Sequence, residues 1–208
     1  MVKSAAGVCW YQDHLITRTL DSITGKFDYI FVIDGRFALN PSTSDYSDES
    51  LREKVRQYPD VILIDFVGSE QDKRDQYLLQ CKKYDVDVLC IIDSDEYINK
   101  NTDWKLFWDN IPQKQGTYSV LVMPNDIYLP RIWIKPYNFR YYQAHCIFQD
   151  ITTGEIRSSG DSGKIKLPGL ILEMGKDEPR TPEYLEYTRV YQERMIEAER
   201  AIRKQIHP

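Results

Sequence analysis

Val86-Asp87-Val88-Leu89-Cys90-Ile91-Ile92 runs directly into Asp93-Ser94-Asp95-Glu96. A short, nearly continuous apolar run reads as a strand covered on both faces, as in a mostly parallel sheet. In open α/β sheets ligands bind beyond the carboxyl ends of such strands, so three carboxylates emerge where a crevice is expected. Carboxylates there suit a hard divalent cation, Mn2+ or Mg2+, which takes oxygen ligands and bridges to a diphosphate; a nucleotide-linked substrate is the first expectation. Asp85 and Asp87 repeat the Asp-x-Asp spacing but stand where the strand begins, the end at which ligands are not expected, and read as solvated turn residues. The competing reading of Asp93 and Asp95 is a polar turn that caps a following helix.

Outward from this stretch, strands and helices alternate. Strand one is expected over Ser4 to Trp10, with a helix from about Asp13 whose Leu15, Ile16, Leu20 and Ile23 keep helical spacing. Tyr29 to Ile33 is the next strand, ending on Asp34-Gly35. Asn40 to Ser50 is a polar loop, Leu51, Val55 and Tyr58 mark a short helix, and Val61 to Ile64 a strand. Ser69 with Asp72 resembles a helix start; Tyr77, Leu78, Cys81 and Tyr84 give that helix one apolar face, and Lys73 and Arg74 occupy its first turn. The first half therefore reads βαβαβαβ, which implies right-handed crossovers. Past Asn101, Trp104, Leu106, Phe107 and Trp108 suggest a short helix, Tyr118 to Met123 a strand, and Ile132 to Ile156 aromatic-rich antiparallel strands or hairpins. Thr181-Pro182-Glu183 starts a final helix, with Leu185, Thr188, Tyr191, Met195 and Ile202 on one face.

The 208 residues suit one α/β domain with a real core. The formal net charge of -5 gives no field that would draw nucleic acid, so any phosphate binding must be local. Cys9, Cys81, Cys90 and Cys146 lie far apart, with no metal-ligand spacing, and three of them fall in apolar stretches, which fits buried reduced thiols of a cytoplasmic protein. No run approaches the ~20 apolar residues of a membrane span, so a membrane-borne acceptor would be met at the surface; the chain is also compatible with being one piece of a longer protein.

Cys9-Trp10-Tyr11-Gln12, the helix Leu15 to Ile23, the strand ending Asp34-Gly35, Lys73-Arg74 in a helix, and Ile91-Ile92-Asp93-Ser94-Asp95-Glu96 together resemble a family-two-type GT-A nucleotide-sugar glycosyltransferase. The resemblance covers the first half well; in the second it rests on Arg140 and His145 in an aromatic stretch and on Arg180-Thr181-Pro182-Glu183 leading to Tyr191. It implies a single α/β domain of GT-A (Rossmann-like) fold over residues 1–208, its central mixed, mostly parallel sheet flanked by helices. Residues 1–100 would form the nucleotide-sugar half, and 101–208 the acceptor side and C-terminal helix.

The activity implied is metal-dependent transfer of a hexose-type sugar from a UDP-sugar, UDP-glucose-like, to a hydroxyl of a glycan, glycoprotein or glycolipid. By the same resemblance Cys9, Trp10, Tyr11 and Asp34 hold the base, Arg74 and Lys73 help hold the nucleotide, as does Ser94, Asp93 meets the ribose or metal-bound water, and Asp93 and Asp95 bind Mn2+ or Mg2+. Each has a plainer alternative: Tyr11 as cover for the following helix, Asp34 as a turn residue, Arg74 as a surface arginine, and Glu96 as the residue that orients the loop.

If configuration inverts, a base must take the acceptor proton, and Asp150, His145 and Asp161 are the candidates. Against them stand a hairpin-turn role for Asp150 before Thr152-Thr153-Gly154 and a core role for His145. The family's late-strand histidine before a glycine falls here on Leu172-Glu173-Met174-Gly175, where methionine is a poor ligand for Mn2+ or Mg2+. Either Glu173 substitutes, or the metal rests on the aspartate motif and the diphosphate. Two other classes compete: a weakly active nucleotide-sugar or glycan-binding module, and a sugar nucleotidylyltransferase, which should carry a glycine-rich loop where Cys9-Trp10-Tyr11-Gln12-Asp13 has no glycine.

Overall fold

The computed structural model describes residues 2–38, 40, 42–142, 144–158 and 165–175 and single positions between 186 and 200; for 142, 144–147, 157 and 158 the backbone alone is described. The first half follows the alternation of its sequence. Strand β1 (Ser4–Trp10) leads to helix α1 (Ile16–Ile23), β2 (Tyr29–Asp34), α2 (Glu49–Arg56), β3 (Val61–Asp65), α3 (Glu70–Tyr84) and β4 (Val88–Ile91). The second half contributes β5 (Glu96–Ile98), α4 (Trp104–Asp109), β6 (Gly116–Met123), β7 (Ile127–Ile134), β8 (Phe139–Tyr142), β9 (Ala144–Asp150), β10 (Ile156–Ser158) and β11 (Lys166–Met174). The final-helix face chosen from sequence lies outside the described residues.

Eight strands form one sheet in the order β3-β2-β1-β4-β7-β6-β11-β5, and β10-β9-β8 form a small antiparallel sheet. The pairs β3–β2, β2–β1, β1–β4 and β6–β11 are parallel, and β4–β7, β7–β6 and β11–β5 antiparallel. This is the mixed, mostly parallel α/β sheet expected. The boundary drawn near residue 100 runs through that sheet, since β7 from the second half pairs with β4 from the first.

Strand alternation divides the core into two layers. On one face Ala6, Val8, Ile30, Val32, Val88 and Cys90 pack with Ile16, Leu20 and Ile23 of α1, Val55 of α2 and Phe107 of α4. On the other, Ala5, Phe31, Ile33, Leu89 and Ile91 meet Tyr77, Leu78 and Cys81 of α3 and the small sheet's Phe139, Tyr141 and Phe148. Burying both faces of β1, β2 and β4 is what makes their sequences read as continuous apolar runs.

Helix α3 starts and stops where local chemistry says it should. Ser69 Oγ accepts from Asp72 N at 3.1 Å, an N-cap that satisfies an otherwise orphaned donor. Asp85 closes it in the left-handed region at φ 57°, and Asp87 Oδ2 accepts from Lys3 N at 3.0 Å. The second Asp-x-Asp is therefore turn chemistry. Among the described residues Cys9, Cys81 and Cys90 are free thiols, and no helix is long and apolar enough to cross a membrane.

Candidate functional site

Strand β1 lies between β2 and β4. From β1 the chain winds to β2 and β3 on one side and then returns to β4 on the other, so the carboxyl ends of β1 and β4 flank a topological switch point. Trp10-Tyr11-Gln12-Asp13 leave one of these ends and Asp93-Ser94-Asp95 the other.

The two segments are stitched together. Ser94 Oγ donates to Asp13 Oδ2 at 2.9 Å, while Asp13 Oδ1 accepts from Leu15 N at 3.0 Å and so starts the chain into α1. Thr19 Oγ1, on α1, lies 2.8 Å from the carbonyl oxygen of Ser94 and 2.6 Å from that of Glu96, and its one proton is shared between them. On the far side Gly175 N donates to Asp95 O at 2.6 Å, and a Cβ at Gly175 would stand 2.9 Å from that oxygen. The acidic turn is thus tied to β1, α1 and the end of β11, which the sequence places far apart.

Asp93 is held between two guanidiniums. Its Oδ1 accepts from Arg74 Nη2 at 3.1 Å, and its Oδ2 from Arg131 Nη2 at 2.6 Å. The same Arg131 nitrogen donates to Glu96 Oε1 at 2.5 Å, and Asp93 N donates to Glu96 Oε2 at 3.0 Å. Arg74 is itself oriented by Glu70 Oε1 at 2.9 Å from its Nε and by Tyr77 Oη at 3.4 Å; the Tyr77 and Tyr141 hydroxyls are 2.9 Å apart. Glycine at position 7 permits this, because a Cβ there would stand 2.9 Å from Tyr77 Cγ.

Burial alone would raise the Asp93 carboxyl, but Arg131 and Arg74 overcome it and hold Asp93 well below the usual carboxylate range. At Glu96 burial prevails: the residue is 1% exposed, and desolvation, with repulsion from Asp93, pushes its carboxyl up despite Arg131.

Arg131 went unnoticed in the sequence, and a β-bulge explains its position. Tyr118 pairs with Ile132 and Ser119 with Pro130, leaving Arg131 as the extra residue of β7. A bulge re-aims a side chain, and proline, which has no N–H to donate, is tolerated inside a sheet at such a break. The legible signal was Pro130-Arg131 within an otherwise strand-like run.

The residues assigned to the nucleotide base surround the end of β1. Trp10 is fully buried and donates from Nε1 to Asp13 O at 2.7 Å. Tyr11 is buried and its hydroxyl donates to Ser44 O at 2.7 Å, and Gln12 N donates to Ser47 Oγ at 2.8 Å. Cys9 is half-buried, its thiol pushed up to about 11 by burial. Asp34 is fully buried and engaged: Ser47 Oγ donates to Oδ1 at 2.7 Å and Arg52 Nη1 to Oδ2, while Arg52 Nη2 reaches Asp65 Oδ1 at 2.6 Å. In this arrangement Asp34 anchors the loop through Ser47 that packs on the β1 end. Lys73 is fully buried too, and its Nζ donates to Trp10 O at 2.8 Å and to Gly35 O, joining the tips of β1 and β2.

These positions bear on a metal. Each Asp93 oxygen accepts from a guanidinium, and a dication there would be repelled by each cation at ~4 kcal/mol per unit charge at 4 Å and an effective dielectric near 20. Glu173 Oε2 accepts from Asn99 Nδ2 at 2.6 Å, and Met174 pairs with Glu96. Among the described residues no three potential ligands come together as a metal centre. Asp95 is partly exposed. Such residues would suit a Mg2+-type ion only as a single carboxylate ligand beside non-protein donors, not as an all-protein cage.

The base candidates separate. Asp150 closes the β9–β10 hairpin, accepting from Thr152 N at 2.8 Å, Thr153 N at 3.2 Å and Gln115 Nε2 at 2.9 Å. It pairs with Phe139 just beyond Lys135, whose N bonds Asp87 O at the start of β4. Asp150 therefore sits at the opposite end of β4 from Asp93, in the hairpin-turn role. His145 lies on β9 beside the Tyr142–Ala144 end of the hairpin, the end where Tyr141 reaches Tyr77 and Gln71 of α3. Asp161 lies outside the described residues.

No protein-family model and no characterised protein matches the sequence. Solved structures that align with part of the chain include S. aureus TarS at 22% identity and a TM-score of 0.40, with 58% of this chain and 21% of that chain covered. TarS 1-349 in complex with UDP-GlcNAc aligns at 24% identity and TM-score 0.40 over 58% of this chain and 34% of that one. The UDP complex aligns at 22% identity and TM-score 0.40 over 58% of this chain and 35% of that one. The chain thus spans about a third or less of those chains.

Proposed function

We propose that the chain carries the donor site of a nucleotide-sugar glycosyltransferase, moving a hexose-type sugar from a UDP-sugar to a hydroxyl of a glycan, glycoprotein or glycolipid. The observation that carries this reading is the convergence at the β1/β4 switch point of the acidic turn, Arg74 and the loop after β1, joined by the Ser94–Asp13 bond. Switch-point crevices are where open α/β sheets bind nucleotides.

In this reading the base lies against Cys9 to Tyr11 under the loop that Asp34 and Arg52 anchor. Asp93, fixed by its two arginines, accepts from ribose hydroxyls, and Asp95 is the protein ligand of a Mn2+ or Mg2+ ion on the diphosphate. When bound, that ion would offset the charge developing on the departing diphosphate. Lys73 keeps the tips of β1 and β2 together beneath the base, and Arg74 keeps Asp93 charged. His145 and Asp161 remain the proposed acceptor-side bases.

The test is thermal stabilisation by UDP, GDP, CMP and UDP-GlcNAc with and without Mn2+. Stabilisation by the uridine ligands, enhanced by Mn2+, is expected, and Asp95→Ala should keep the fold but lose the Mn2+ enhancement. Indifference to every uridine nucleotide refutes the reading. Slow release of free sugar from a UDP-sugar separates a transferase from a binding module of the same fold.

A further inference from the structure

Among the described residues Arg131 is the one cation hydrogen-bonded to both Asp93 and Glu96, through a single nitrogen. It arrives from β7, whose last residues Ile132, Trp133 and Ile134 belong to the core, and it reaches the turn because the bulge at Pro130-Arg131 breaks the ladder with β6. Glu96 is bonded in turn to the backbone N of Asp93. Arg131, Glu96 and Asp93 thus close a ring that determines both where the turn's backbone runs and how the Asp93 carboxylate is oriented. Arg74 completes the orientation from α3 by taking the other Asp93 oxygen. An ionised carboxylate has about four lone-pair sites, so two guanidinium contacts leave acceptor capacity for hydroxyl donors.

We propose that Arg131 is a positioning residue of the donor site: aimed by the β7 bulge, it holds Asp93 in the orientation that accepts hydrogen bonds from the ribose hydroxyls of the nucleotide. The assignment rests on the donor-site reading above. It differs from a purely structural role, in which Arg131 would only supply counter-charge to the buried Glu96. Counter-charge can be replaced, whereas orientation cannot.

Two variants separate the roles. Arg131→Met with Glu96→Gln removes the cation and the buried anion together, so no buried charge is left unpaired. Arg131→Lys keeps the charge on a shorter, compact ammonium without the planar guanidinium. Melting temperature and affinity for UDP, 2′-deoxy-UDP and 3′-deoxy-UDP are measured for each, with and without Mn2+. The unaltered protein should prefer UDP to the deoxy analogues by about tenfold or more, the loss expected for a hydrogen bond to a charged group.

In both variants UDP affinity should fall about 10- to 100-fold, as for removal of a residue that orients a ligand-binding group. The preference for the full ribose should collapse toward unity while the Mn2+ enhancement persists. A variant that melts like the unaltered protein and keeps the ribose preference overturns the proposal, as does a collapse of the Mn2+ enhancement with the preference intact. If UDP fails to stabilise even the unaltered protein, the donor-site reading falls and takes this proposal with it.

Discussion

Replacing Lys73 by Met probes a cation buried without an ion-pair partner among the described residues. Lys73 is 0% exposed, its ammonium donating to Trp10 O and Gly35 O and lying 3.7 Å from the Phe37 ring centroid. Burial lowers it from 10.5 to about 8, with Cys9, Asp34 and Glu70 pulling the other way. At about 1.4 kcal/mol per pH unit that gap is worth about 3 kcal/mol. Because the folded pKa is the lower one, the unfolded chain holds its proton to higher pH, so unfolding takes up a proton between about pH 8 and 10.5 and stability rises with pH there. Lys73→Met has no such term. Urea unfolding of both proteins in steps across this range should show the unaltered protein gaining on the variant by up to about 1.4 kcal/mol per pH unit, with other titrations cancelling in the difference. A difference that stays flat across the range would refute the claim that a desolvated ammonium ties β1 to β2.

Arg52→Ala should lower the melting temperature by about 10 °C, since breaking a buried ion pair costs about 3–5 kcal/mol and Asp34 is left buried with an uncompensated charge; a change within about 2 °C would show that Ser47 alone satisfies Asp34. Gly35→Ala should yield little soluble protein, because its Cβ would stand 2.1 Å from Phe66 O at φ +149°, and a normally expressed variant with an unchanged melt would count against that backbone path.

Legibility followed the range of the interactions involved. Strand β1 and the strand and helix alternation through β4 could be read because each is encoded locally, by unbroken apolar runs and by caps such as Ser69. Strand β5 is three residues long and was overlooked, and β11 entered only through its last residues, because their partners are remote: Glu173 pairs with Tyr97, and β11 also pairs with β6. In the site, Arg74 and the acidic turn were recognisable as types, yet the contact between them spans 19 positions and that of Arg131 with Asp93 spans 38. Asp150 shows the converse. An aspartate before Thr152-Thr153-Gly154 reads more readily as a turn residue than as a base, and the sheet register places it in the turn.

Taken by itself, the chain's order of residues determined that a buried strand would end in carboxylates and that a helix with Lys73 and Arg74 in its first turn would precede it, because hydrophobic period and capping act over a few positions. Tertiary structure alone decided which charges those carboxylates meet. Two guanidiniums, one carried by α3 and one thrown out of register by a bulge in β7, come to share Asp93. Such pairing depends on strand order and bulge position, which are set by packing of the whole sheet rather than by any local stretch.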